Sequence, residues 1–122
     1  MDKHALKNIE FEKALEMGSL VDYQPGQVVS RTLSQNDAVS ITVFAFDENE
    51  EISSHKSGGD AMVTILEGAA LITIGDKQYP LGAGKTIVMP AGIAHAVAAD
   101  AGSRCCSWLY SRSSPIRSVR RE

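Results

Sequence analysis

Turn residues divide the chain into short runs in which apolar side chains alternate with small or polar ones, the period-two pattern of half-buried β-strands. Residues 39–46 show it most clearly. Ile41, Val43 and Ala45 fall on one face, and Thr42, Phe44 and Phe46 on the other. Both faces carry apolar groups, so one is expected to line an interior and the other to meet a second sheet or a partner subunit. Further strands are expected at 28–33 after the Pro25-Gly26 turn, and at 62–66 and 70–74 on either side of a Glu67-Gly68 turn. Residues 77–81 complete a hairpin through Gly75-Asp76. The apolar run 86–89 is expected to be buried on both sides. Pro90-Ala91-Gly92 then leads into a strand at 94–98, and the last strand covers about 104–110. Residues 47–51 read as an acidic turn and 53–60 as a polar loop around Gly58-Gly59. Near the start, Ile9, Ala14 and Met17 suggest a short helix over 8–17, ended by Gly18.

About eight short strands with one helix indicate an all-β sandwich or barrel. The connections lack the helical crossovers that a parallel sheet requires, which excludes a doubly wound α/β fold. At 122 residues the chain fits one domain. Its expected parts are an N-terminal extension with the short helix (1–26), a barrel (27–112) and a basic tail (113–122), where Arg117, Arg120 and Arg121 stand against Glu122.

Charge and targeting signals narrow the function classes. The net charge is −3, with 15 acidic against 12 basic residues, which argues against a nucleic-acid partner whose phosphates need neutralising. No apolar run approaches the roughly 18 residues of a membrane span, and residues 1–18 are charged throughout, so a cytoplasmic protein without a membrane partner is expected. Cys105 and Cys106 are adjacent, so in a strand they point to opposite faces and are not expected to bridge. Gly84-Lys85-Thr86 imitates the end of a phosphate-binding loop. Tyr79 occupies the position of that motif's first glycine, and a strand follows where a helix would be needed, so nucleotide hydrolysis is excluded.

Two blocks resemble the cupin superfamily of small jelly-roll barrels. In GKTIVMPAGIAHAVAA, residues Gly84, Pro90, Gly92 and His95 hold the spacing of the second cupin motif, with Ala99 in place of its usual asparagine. In HKSGGDAMVTILEG, His55 takes the first histidine position and Gly68 the closing glycine of the first motif. Ser57 stands at the second histidine position and Ala61 at the glutamate. The resemblance covers roughly residues 38–111 and implies an all-β, cupin-like jelly-roll barrel, a homodimer and a binding site in the barrel mouth. It places His55 and His95 there, two of the four ligands that hold a divalent metal in typical members.

The candidate chemistry follows from these positions. His55 and His95 with Asp60, one residue from the glutamate slot, would make a facial metal set for Fe, Mn, Zn or Ni. Without a metal, the imidazoles would hydrogen-bond a ligand or carry a proton near neutral pH. Trp108 and Tyr110, with Phe44, Met62 and Met89, are candidates for an apolar pocket wall. The leading expectation is a barrel that binds a small organic molecule beside a partly eroded metal site. The rival is a metal-dependent isomerase, decarboxylase or dioxygenase acting on a small carbonyl or carboxylate compound.

Overall fold

The computed structural model describes residues 4–36, 39–56, 58–100 and 105–111, with the chain path alone for His55 and for 105–111. Eight strands form the molecule: β1 (Val28–Gln35), β2 (Ser40–Phe46), β3 (Glu51–His55), β4 (Ala61–Ile74), β5 (Lys77–Gly82), β6 (Thr86–Met89), β7 (His95–Ala99) and β8 (Cys105–Ser111). They follow the order β1-β2-β8-β4-β7-β3, with β5 and β6 also paired to β4, and every pairing is antiparallel. This is the expected jelly-roll barrel.

The 14-residue β4 organises it. Its first half pairs with β8 and β6, and its second half with β7 and β5, so one strand belongs to both walls of the barrel. Ala61, Val63 and Ile65 are buried in the first half, Ala70 and Ile72 in the second. The inward residues change from odd to even because the register with β8 shifts between Ile65 and Glu67, a bulge that adds one residue to β4. Gly68, at φ 79, supplies the left-handed backbone beside it. The expected turn at Glu67-Gly68 is therefore a bulge inside a continuous strand. The inward row packs with Phe46, Met89, Val97 and Ala99 into one core. Burying each large side chain there is worth about 1.5–3 kcal/mol.

The N-terminal segment departs from the expected helix over 8–17. Asn8 and Glu12 adopt φ of 62° and 57°, left-handed conformations that an α-helix cannot contain. The helical content near the start is a four-residue 3₁₀ turn at Met17–Leu20, with Gly18 inside it. The edge of β1 competes successfully for this segment: Lys7 N donates to Leu33 O at 2.8 Å, and Asn8 Nδ2 to Thr32 O at 2.7 Å. Ile9, Met17, Leu20, Val21 and Tyr23 then cover Leu33 and Val43. The second apolar face of β2 is thus covered by the chain's own N-terminal segment, which also occupies an otherwise open sheet edge.

Two further expectations change. Residues 53–55 belong to β3 and not to a loop, because Ile52 pairs with Val97 and His55 with His95. Strand β6 is an edge strand whose Val88 is 54% exposed, so it is not buried on both sides. The basic tail 113–122 and the side chains of Cys105 and Cys106 lie outside the described residues.

Candidate functional site

The site is built by register. In an antiparallel pair, residues directly opposite each other share a face, with Cα atoms about 4.5–5.5 Å apart. His55 lies opposite His95 across β3 and β7, so two positions forty residues apart in the chain become cross-strand neighbours. His95 lies in turn opposite Ile74 of β4, and Ile74 opposite Lys77 of β5. One row therefore crosses four strands as His55, His95, Ile74 and Lys77. The next row inward is Ile52, Val97, Ile72 and Tyr79. A third, Ala99, Ala70 and Leu81, belongs to the sealed core.

Burial identifies this face as the interior. His95 is 3% exposed, and Val97 and Ala99, two and four residues on, are also buried, while Ala96 and Ala98 are not. Along β5 the same face opens outward. Leu81 packs on the core, Tyr79 is 36% exposed and Lys77 is exposed. The His55–His95 row thus marks the open end of this wall, and the third row its closed end.

Asp60 has a different place. Its Oδ1 accepts a hydrogen bond from Ala91 N at 2.9 Å, joining the β3–β4 loop to the turn that precedes His95. It adjoins Ala61, which is buried in the core, so strand alternation turns Asp60 away from the interior. The glutamate slot of the cupin motif is occupied by the Ala61 methyl, which offers no donor. Among the described residues no group of three His, Cys, Asp or Glu side chains could hold a metal ion. The described donors therefore do not fit a divalent metal, and no reaction step is routed through one.

Trp108 and Tyr110 hold register positions opposite Val43 and Ile41 in β2, and opposite Thr64 and Met62 in β4. That is the face covered by the N-terminal segment at Val43, not the face of Val63 and the histidine row. Met62 likewise lies on the other face from Val63, whereas Met89 is buried in the core and Phe44 packs against it. Lys77 and Tyr79 were not singled out by the sequence reading. Their signal is the Gly75-Asp76 hairpin, which sets β5 against β4, but only the solved facing of β4 turns that register into an interior position. Two surface grooves of about 430 and 460 Å³ flank the N-terminal segment, one containing Leu20 and Arg31 and the other Leu66 and Glu67. Neither includes a residue of the histidine row.

Comparison with known proteins places these observations in a family. The family described as Cupin domain matches residues 42–110, more than half of the chain. The chain is similar to the crystal structure of a conserved protein of unknown function from Streptococcus pyogenes, at 43% identity and a TM-score of 0.87, covering 93% of this chain and 96% of that one. It is also similar to a cupin superfamily protein from Desulfitobacterium hafniense, at 33% identity and a TM-score of 0.82, covering 88% and 96%. A cupin 2 conserved barrel domain protein from Leptotrichia buccalis matches at 31% identity and a TM-score of 0.77, over 80% of this chain and 47% of that one. Among curated proteins none matches.

Proposed function

The chain belongs to the cupin family, and on that premise we propose that it binds a small organic molecule at the barrel end where His55 and His95 face each other across β3 and β7. The observation that carries this reading is the placement of a 3%-exposed imidazole, His95, at the rim of an apolar wall, with a second histidine position in direct register. Ile74 and Val97 offer hydrocarbon to a ligand's body, and the imidazoles offer a hydrogen-bond donor or acceptor to its polar end. Beside a low-dielectric core such a bond contributes about 1 kcal/mol, and more if the ligand group is charged. Asp60 supports the site indirectly by fixing the turn that delivers His95. The histidines act here as ligand contacts, and no metal-dependent step is assigned to them.

The test is a thermal-shift screen of small polar metabolite-like compounds against the native chain and the His55→Ala and His95→Ala variants, with and without EDTA. The reading expects compounds that raise the native midpoint, lose most of that effect in both variants and keep it in EDTA. Stabilising compounds that ignore both substitutions would overturn it. Binding abolished by EDTA and restored by a divalent ion would instead establish the metal-dependent rival.

A further inference from the structure

The interior row does not end on the histidines, and its far end has chemistry of its own. Lys77 stands two strands from His95 on the same face, and Tyr79 occupies the next row beside Ile72. At the usual spacing between neighbouring strands, His95 and Lys77 are about 10 Å apart, with Ile74 between them. A small organic acid can bridge that distance, its apolar part on Ile74 and its charged end on Lys77. Among the described residues Lys77 makes no ion pair, and Lys13–Glu10 is the ion pair they contain.

We infer that the barrel end selects a carboxylate. The Lys77 ammonium and Tyr79 hydroxyl hold the carboxylate oxygens, and the His55–His95 pair holds the opposite polar end of the same molecule. This rests on the binding reading given above and specifies its ligand class. The ammonium gives three donors and a full charge, and the Tyr79 hydroxyl a further donor, a set suited to a carboxylate that needs several hydrogen bonds. The partial exposure of both side chains fits a role at the entrance, where a cation also draws anions from solution. Ile74 and Ile72 separate the two polar ends, so a ligand spanning them needs a hydrocarbon middle. That favours a short oxo- or hydroxy-acid over inorganic anions.

The experiment is an NMR titration of the ¹⁵N-labelled chain with pyruvate, 2-oxoglutarate, succinate and benzoate, each beside its neutral amide. The readouts are the amides of Ile74, Lys77, Tyr79 and Val97. The inference expects the carboxylates to shift these signals together and to bind about tenfold more tightly than the amides, the weight of one charge-assisted contact. Lys77→Gln should remove that preference, and Lys77→Glu should reverse it while the far core signals stay in place. Tyr79→Phe should weaken the carboxylates by a smaller factor. Equal binding of acids and amides, or a preference unchanged in Lys77→Gln, overturns the inference but leaves the pocket reading intact. Absence of any shift at these amides with either series overturns both.

Discussion

Replacing Ile72 with alanine tests the facing of β4, on which the whole site depends. Ile72 is 0% exposed and packs in the core with Val63, Met89 and Val97. The substitution removes three buried carbons, about 2.4 kcal/mol of transfer energy at roughly 0.8 kcal/mol each. The cavity left behind adds about 1–2 kcal/mol, giving a total near 4 kcal/mol. Leu71 next to it faces the other way and is only half-buried, so Leu71→Ala should cost less than about 2 kcal/mol. Urea unfolding followed by far-UV circular dichroism separates the two. With a slope of about 1–3 kcal/mol per molar, Ile72→Ala should lower the midpoint by about 2 M and Leu71→Ala by less than half of that. A Leu71→Ala variant as damaged as Ile72→Ala, or more so, would refute the reasoning. It would reverse the facing of β4 and remove His95, Lys77 and Tyr79 from the interior with it.

Other consequences are equally direct. Asp60→Ala leaves the Ala91 amide without its acceptor and should cost about 1–2 kcal/mol, with faster hydrogen exchange at Ala91, whereas Asp60→Asn keeps an oxygen there and most of the protection. Gly92→Ala should destabilise by about 1–2 kcal/mol from backbone strain alone, since φ is 79° and the added carbon would meet nothing within 4 Å. A calorimetric melt of this variant beside Gly92→Asn, which tolerates that conformation better, checks the cause. Removing residues 1–22 uncovers Leu33, Val43 and the β1 edge; it should cost at least about 3 kcal/mol and produce concentration-dependent association in light scattering.

How much of this was legible beforehand varies by element. The strands at 28–33, 39–46, 77–81 and 86–89 could be read because alternation and turn chemistry agree there. The two faces of β2 divide as the pattern suggested, Phe46 into the core and Val43 under the N-terminal segment. The inward residues of β4 change parity at the bulge, and a period-two reading breaks at that point, which is why Glu67-Gly68 looked like a turn. The helix over 8–17 was inferred from three weakly spaced apolar residues. Hydrogen bonds from Lys7 and Asn8 to β1 outweigh that propensity, and no sequence window contains both partners.

The site was half legible. Spacing within the cupin blocks marked His55 and His95, and the register makes them neighbours. Asp60 was noticed for its distance from the glutamate slot, yet one residue along a strand is a change of face, and its carboxylate serves the Ala91 amide instead. Trp108 and Tyr110 were chosen as large residues near the end of the barrel. Their facing depends on the β8 register with Val43 and Thr64, which composition does not encode.

The most direct test of the central claim is a crystal structure of the protein soaked with a set of small oxygenated fragments. The account predicts density on the interior face of β7, touching the His95 ring and lying along Ile74 toward Lys77. Fragments that bind only in the grooves beside the N-terminal segment, with side chains filling the space between His95 and Lys77, would contradict it.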